Sequence, residues 1–577
     1  MHLFKLLILL LMSVLVWACT KDAYTPREAT DSDAGATTTQ QPSVSKPEEM
    51  LASQKDPASV AANHRARRDE PHPAASPVRQ FALASSDTSH SIRYAREPLD
   101  RENYTSFEDN PVHLASEDPV STFSIDVDTA SYSNLRRLLN QGALPRHDAV
   151  RIEELVNYFS YAYPVSNDRQ QPFTIYTEMG PSPWHADRHL LHIGIKGFSV
   201  PAQEIPAANL VFLIDVSGSM QSPDKLELLK TSMKLLTKQL DQDDSISIVV
   251  YAGAAGVVLE PTPGHQTAKI TSAIDQLTAG GSTNGGAGIR LAYALAQQAF
   301  MDDGVNRVIL ATDGDFNVGT VNQEALKNLI EAKRKSGVAL TVLGFGTGNY
   351  NDALMQELAQ IGNGNAAYID TINEARKVLV DEMSSTLLTI AKDVKIQVEF
   401  NPAIVHEYRL VGYETRHLDR EDFNNDKVDA GDIGAGHTVT AIYEIALKGS
   451  SGALIDPLRY ADAVQPQTAS SELAFLRLRY KAPNGSTSML VEQPIESSDM
   501  QTAMDNTSNI YRFSAAVAAF GQLLRGGEYV DDLDYAGIVR LAQGAKGDDP
   551  FGYRGEFLNL VRTADALSGH REVQGGG

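Results

Sequence analysis

A run of five apolar residues, Leu210 to Ile214, ends abruptly in polar side chains at Asp215, Ser217 and Ser219. An unbroken apolar run is typical of a strand that is covered on both faces. The Ser-Gly-Ser sequence that follows Val216 predicts a turn at the end of this strand.

Strand-like and helix-like segments alternate along the middle of the chain. The hydrophobic pattern predicts strands at 210–215, 245–251, 308–311, 340–345 and 367–369, and helices at 224–240, 270–277, 287–300 and 323–335. In the helix predicted at 224–240, leucines lie on one face and lysines on the other. This alternation predicts an α/β fold: a doubly wound, mostly parallel sheet with helices on both faces, which we place at residues 206–388.

Segments of alternating apolar and polar residues lie on both sides of that domain. They are 172–179 and 189–195 before it, and 394–400, 438–445 and 473–480 after it. Strands on both sides of an insertion can close one β-sandwich, so we expect the α/β domain to be inserted in a β-rich, sandwich-like platform. The predicted parts of this platform are an α+β flanking region at 106–205 and a β-rich domain at 389–500. Residues 501–577 are predicted to form a helical carboxyl-terminal region.

The polar groups that end the apolar strands suit a hard metal ion. Ligand sites of open α/β sheets lie at the carboxyl ends of the strands. The groups at Asp215, Ser217 and Ser219 offer oxygen but no sulfur or imidazole, which favours Mg²⁺, with Mn²⁺ and Ca²⁺ as alternatives. Thr283, in a glycine-rich loop, and Asp313, at the end of a second buried strand, have the right character to complete the site. The alternative is a tight turn in which these side chains only cap a helix.

Three separate motifs then carry a family resemblance. Asp-x-Ser-x-Ser at 215–219, a threonine after paired glycines at 283, and Thr-Asp-Gly-x-x-Asn at 312–317 resemble the metal-ion-dependent adhesion site of von Willebrand factor type A domains. The resemblance implies that a Mg²⁺ ion is held by five residues: Asp215, Ser217, Ser219, Thr283 and Asp313. It also implies that a Glu or Asp of a protein partner fills the open position on the ion, so the site binds rather than catalyses.

Two further segments resemble a bacterial subfamily. Residues 121–132 and 548–554 are similar to those of von Willebrand factor type A domain lipoproteins that have a dedicated amino-terminal region and a carboxyl-terminal domain of unknown function. This likeness covers about residues 106 to 570.

The amino terminus predicts the location of the protein. Residues 1–18 contain one lysine and an apolar run too short to span a bilayer, and they resemble a bacterial lipoprotein signal with Cys19 as the lipidated residue. An ordinary secretory signal is the alternative. Cys19 is the single cysteine, so the chain forms no internal disulfide. Thr20 rather than Asp follows it, which by resemblance to enterobacterial sorting favours the outer membrane over the inner membrane.

The composition of the chain differs between a predicted amino-terminal tether and the folded part. Residues 19–105 are rich in Ala, Ser, Thr, Gln and Pro, and we predict a disordered tether there. The formal net charge of −23 argues against nucleic acid and anionic lipid as main partners and favours divalent cations. Contact with the membrane is therefore expected through the lipid anchor.

The sequence is interpreted as a lipid-anchored cell-envelope binding protein and not as an enzyme. Its partner is expected to be a protein that offers a Glu or Asp carboxylate to the Mg²⁺ ion. A scaffold or chaperone subunit for envelope assembly is the first alternative. A metal-dependent hydrolase is the second, but the motif segments offer hydroxyl groups and carboxylates and no His or Lys that could act as the base.

Three other segments contain residues that could form a catalytic or metal site. Residues 125–130 are superficially similar to the nucleophile motif of haloacid-dehalogenase-type phosphatases. A strand end with capping groups is expected there, with a phosphatase nucleophile and a second metal site as alternatives. Residues 422–432 have calcium-loop spacing but lack the glycine at the sixth position, so a hydrated acidic loop is expected. His189 and His192 point to opposite faces of a strand, which argues against zinc.

Overall fold

The computed structural model describes residues 102–125, 128–165, 171–201, 204–282, 285–314, 316, 323–456, 471–531 and 533–575. Cys19, the predicted signal and the predicted tether up to residue 101 lie outside these ranges. Across the helices of the described ranges, none is long and apolar enough to cross a membrane.

The strands and helices are numbered in chain order. The strands are β1 (His113–Leu114), β2 (Val120–Ser124), β3 (Phe173–Pro181), β4 (His189–Gly197), β5 (Ala208–Asp215), β6 (Ser245–Tyr251), β7 (Ala255–Pro263), β8 (Val305–Thr312), β9 (Ala339–Phe345), β10 (Ala366–Ile369), β11 (Thr389–Phe400), β12 (Val405–Val411), β13 (Gly431–Gly434), β14 (Thr438–Leu447), β15 (Glu472–Lys481) and β16 (Ser488–Glu496). The helices are α1 (Ala130–Asn140), α2 (Ile152–Asn157), α3 (Leu228–Thr237), α4 (Thr267–Asp275), α5 (Gly285–Gln298), α6 (Gln323–Lys335), α7 (Asp352–Ile361), α8 (Ile372–Arg376), α9 (Met383–Leu387), α10 (Asn509–Leu524), α11 (Tyr535–Gly544) and α12 (Tyr553–Gly575).

The middle of the chain forms the α/β domain that the sequence predicts. Its sheet has the strand order β10-β9-β8-β5-β6-β7, and its neighbours are parallel except for the antiparallel pair β6 and β7. Separate apolar cores lie on the two faces, one around Phe212 and Leu229 and the other around Leu213 and Ile289. The predicted doubly wound, mostly parallel sheet is therefore confirmed. Strand β7 was not predicted, because its half-exposed residues give a weak pattern.

The strands that precede and follow this domain close one sandwich, as predicted. One sheet has the order β1-β12-β14-β4-β3, and the other has the order β13-β11-β15-β16 with β2 paired to β11. Side chains of both sheets share a single core, in which the ring of Phe400 stacks on that of Tyr408 at 4.2 Å. The α/β domain thus lies in the chain between β4 and β11 of a β-rich platform.

A third core joins the two ends of the folded chain. The flanking helices α1 and α2 pack with α10, α11 and α12 around buried aromatic residues. The ring of Phe159 lies 5.0 Å from that of Phe513 and 5.7 Å from that of Phe557, in edge-to-face contacts. The helices of the amino-terminal flank and the carboxyl-terminal helices therefore form one helical layer, although the sequence pattern predicts two separate regions.

Candidate metal centre

Asp215 ends β5 at the carboxyl edge of the parallel sheet, where we expected the site. Strand β5 is central, with β6 and β8 as its parallel neighbours. The carboxylate is completely buried, because the strand remains covered until its last residue. The next polar residues leave the sheet in a tight turn that begins at Ser217 and Gly218.

The turn brings the first three predicted residues together. The backbone N–H of Ser217 donates to Oδ1 of Asp215 at 2.8 Å, and the Oγ atoms of Ser217 and Ser219 are 2.9 Å apart. Ser217 is buried, whereas Ser219 is exposed. The group therefore opens to solvent on the side of Ser219.

Two hydroxyl groups that sequence reasoning missed hold the other oxygen of Asp215. Tyr251 Oη donates to Oδ2 at 3.1 Å, and Thr312 Oγ1 donates to the same atom at 3.4 Å. Tyr251 is the last residue of β6 and pairs with Asp215 in the parallel register, and Thr312 is the last residue of β8. The available signal was that Tyr251 ends one predicted strand and Thr312 directly follows another.

Asp313 follows β8 and is also completely buried. Its Oδ2 accepts a hydrogen bond from Lys225 Nζ at 2.9 Å, and the same ammonium is 3.3 Å from Oδ1 of Asn349. The helical pattern had placed Lys225 on the polar face of its helix. It is buried instead, and it lies in an irregular first turn, residues 223–227, ahead of α3.

The glycine-rich loop is tied to the Asp215 turn through its backbone. The N–H of Gly280 donates to the carbonyl of Val216 at 2.7 Å, and the N–H of Gly218 donates to the carbonyl of Gly281 at 3.0 Å. Gly281 has a φ of +96°, which a glycine adopts without strain. Thr283 lies outside the described residues, two positions beyond this contact.

The donor set fits a hard divalent ion. Burial, together with the nearby Asp313 carboxylate, raises the pKa of Asp215 to about 6, although hydrogen bonds from Ser217 and Tyr251 act in the opposite direction. Two buried carboxylates that repel each other, beside two hydroxyl groups, are suited to a cation that prefers oxygen. If bound, Mg²⁺ would be held by Asp215, Ser217, Ser219 and Asp313 among the described residues.

The other candidate segments are engaged in structural contacts. Asp128 accepts from the N–H of Ala366 at 2.8 Å and from Arg416 at 3.3 Å, which fits a capped strand end. Asp426 is bound by Arg479 at 3.1 Å. The buried His192 lies between Tyr163 and Ser514. Within the described ranges, no group of three or more His, Cys, Asp and Glu side chains could hold a metal ion.

Three family profiles match successive parts of the chain. Residues 98–192 match the family described as von Willebrand factor, residues 209–381 match the von Willebrand factor type A domain, and residues 385–567 match the carboxyl-terminal region of the uncharacterized protein YfbK.

Relatives of known sequence agree with these matches. The uncharacterized protein YfbK of Escherichia coli (strain K12) is 49% identical over 474 residues, which cover 81% of this chain and 81% of that protein. The uncharacterized protein sll0103 of Synechocystis is 32% identical over 36% of this chain and 50% of its own length. Inter-alpha-trypsin inhibitor heavy chain H3 of Homo sapiens is 23% identical over 52% of this chain and 38% of its own length. The chain spans half or less of the last two proteins.

Two solved structures show similarity as well. A von Willebrand factor type A protein from Catenulispora acidiphila is 16% identical, with a TM-score of 0.37. The matched region covers 67% of this chain and 89% of that protein. The ArnB paralog VWA2 from Sulfolobus acidocaldarius is 14% identical, with a TM-score of 0.33. The matched region covers 69% of this chain and 98% of that protein.

Proposed function

The chain belongs to the family of bacterial von Willebrand factor type A proteins with a YfbK-type carboxyl-terminal domain, and on this premise we propose that it is a lipid-anchored, protein-binding component of the cell envelope. Membership of the von Willebrand factor type A family suggests a role in protein–protein interaction or adhesion. The finer proposal is that a Mg²⁺ ion at the Asp215 site captures an acidic side chain of a protein partner.

The observation that supports this proposal most is the grouping of oxygen donors at one edge of the sheet. Asp215 and Asp313 are buried, and the hydroxyl groups of Ser217 and Ser219 lie together with Ser219 exposed. Mg²⁺ prefers six oxygen ligands and usually keeps several water molecules. A carboxylate from a partner can replace one such water on the side that faces solvent.

The same side chains argue against a hydrolase. Hydrolysis at a metal ion needs a general base within hydrogen-bond reach of the attacking water. The described carboxylates and hydroxyl groups at the site would hold the ion, which leaves Lys225 as the remaining candidate base, and the ammonium of Lys225 is already paired with Asp313. We therefore propose that the protein binds and does not turn over a substrate.

Metal binding is the first part of the proposal to test. The full chain would be titrated with Mn²⁺ and followed by calorimetry and by the loss of the free-ion electron paramagnetic resonance signal. Asp215→Ala should abolish binding, whereas Asp243→Ala should not, because Asp243 is an exposed carboxylate ahead of β6, at the opposite edge of the sheet. Unchanged uptake by Asp215→Ala would contradict the proposal, and the circular dichroism spectrum of each variant checks that it folds.

Partner capture is the second part. Crosslinked pull-downs from native envelopes, with and without EDTA, should recover a protein whose capture is lost with EDTA and in Asp215→Ala. One constant partner from the cell's own envelope would favour the scaffold or chaperone role, and a foreign or extracellular ligand would favour adhesion. Capture that is unchanged by both treatments would contradict a metal-dependent site.

A further inference from the structure

Lys225 places a positive charge directly beside the proposed metal site. Its ammonium lies 2.9 Å from Oδ2 of Asp313, and the two side chains are 8% and 0% exposed. Oδ1 of Asn349 lies 3.3 Å from the same nitrogen. The lysine is therefore a buried partner of a proposed metal-binding carboxylate and not a solvated surface charge.

The backbone around Lys225 leaves room for its side chain. Gly346 has a φ of +74°, and a Cβ atom at that position would collide with the aliphatic carbons of Lys225. Gly314, directly after Asp313, has a φ of +100°, and a Cβ there would lie 2.6 Å from the backbone of Asn349. Two glycines in the left-handed region thus allow the loops at 314 and 346–349 to close around the ion pair.

We infer that Lys225 is a positioning residue that sets the metal affinity of the site. This inference rests on the proposed function. Without a divalent ion, the ammonium of Lys225 neutralises Asp313 and keeps its carboxylate in place. When the ion is bound, the same ammonium repels it, since like charges a few ångströms apart interact strongly in a buried site. The site is then formed in advance, and its metal is held weakly enough to exchange.

A merely structural ion pair makes a different prediction. If Lys225 only held the loops together, its removal would lower the stability of the protein and would weaken metal binding, because the site would lose its shape. The present inference predicts opposite signs: lower stability of the metal-free protein and tighter metal binding. The two readouts together therefore separate the two roles.

The test uses the full chain and Mn²⁺ alone as the probe. Lys225→Met should lower the melting temperature measured in EDTA and should tighten Mn²⁺ binding by about tenfold in calorimetric titration. Lys234→Met is the matched control, because Lys234 lies on α3 and pairs with Asp275 at the surface, where the two side chains are 37% and 56% exposed. This control should change neither quantity appreciably.

Each outcome decides the question. Mn²⁺ affinity in Lys225→Met that equals or falls below that of the unchanged protein would overturn the inference while leaving the proposed metal site intact. Absence of Mn²⁺ binding by the unchanged protein would instead refute the proposed function, and this inference with it. If Lys225→Met does not fold, Lys225→Gln, which removes the charge but keeps a hydrogen-bond donor, should show the same gain in affinity.

Discussion

Arg136 and Glu374 form a buried ion pair that joins the amino-terminal flank to the last part of the inserted domain. Nη2 of Arg136 lies 2.7 Å from Oε2 of Glu374, and the side chains are 1% and 0% exposed. The same guanidinium binds Asp370 of the inserted domain and lies 3.0 Å from Glu556 on α12. One side chain thus links three parts of the folded chain.

Arg136→Met is expected to destabilise the protein strongly. It would leave the buried carboxylates of Glu374 and Asp370 without their cation, which costs about 3–5 kcal/mol. Urea unfolding followed by circular dichroism measures the loss. Arg146→Met is the control, because Arg146 is 53% exposed and its pair with Asp148 is worth little. Equal midpoints for the two variants would contradict the importance of the buried network.

His192 should make the protein less stable in acid. Burial lowers the pKa of its imidazole to about 3. Between this value and the ordinary pKa of histidine, the ring is neutral in the folded protein but binds a proton in the unfolded chain. The stability that the neutral ring provides is complete above about pH 6.5 and is lost as the pH falls towards 3. At pH 5 the loss amounts to about 2 kcal/mol.

Urea midpoints at pH 7.5 and pH 5.0 test this pH dependence. His192→Gln should lose about 2 kcal/mol less than the unchanged protein between the two values. His265→Gln, at an exposed position, should behave as the unchanged protein does. An unaltered pH dependence in His192→Gln would show that other groups cause the acid instability.

Tyr251→Phe should weaken Mn²⁺ binding without removing it. The variant loses the hydroxyl that donates to Oδ2 of Asp215, and groups that orient metal ligands in this way are worth about 10-fold or more in affinity. Tyr293→Phe is a matched control, since the buried Tyr293 hydroxyl has no hydrogen-bond partner among the described residues. Calorimetric titration compares them, and equal affinities would mean that Tyr251 does not position the carboxylate.

Two glycines of one loop allow backbone strain to be separated from steric contact. Gly346→Ala and Gly348→Ala both place a side chain at positive φ, which costs about 1–2 kcal/mol. A Cβ at Gly348 meets open space, whereas a Cβ at Gly346 meets Lys225. Gly346→Ala should therefore cost about 1–3 kcal/mol more in urea unfolding, and equal losses would show that Lys225 moves aside freely.

Lipidation of Cys19 stays a prediction. Cys19→Ser should release the protein from the membrane fraction, because the variant lacks the thiol that carries the acyl chains. Mass spectrometry of the amino-terminal peptide should show the added lipid in the unchanged protein. An unmodified cysteine, or a Cys19→Ser variant that stays in the membrane fraction, would refute the anchor.

The sequence predicted those parts of the fold that have strong local patterns. The strand at 245–251 and the helix at 323–335 have the predicted bounds, and the platform strands agree to within a few residues. Asp215 could be placed because an apolar run ends at it. The pairing of β2 with β11 could not be predicted, because it joins distant segments and leaves no local trace.

At the candidate metal site, too, residues placed by their sequence neighbours could be predicted, whereas residues placed by distant contacts could not. The turn at Ser217 and Ser219 is encoded by adjacent residues and forms as expected. Lys225 was wrongly assigned to a polar face, because its burial depends on Asp313, Gly346 and Asn349. Tyr251 and Thr312 become donors to Asp215 only through strand register, which the sequence does not state.

The position of the inserted domain also dictates an order of folding. Its strands find their neighbours within the domain, so the domain can form its sheet before the later strands of the platform are in place. Strands β2 and β4 must wait for β11 and β14, which follow the whole insertion along the chain. During that interval the apolar side of β4 has no partner sheet, and slow formation of such distant contacts is the step at which aggregation competes. The first strands of the platform are therefore the part of this protein that is expected to be most prone to aggregation until the platform closes.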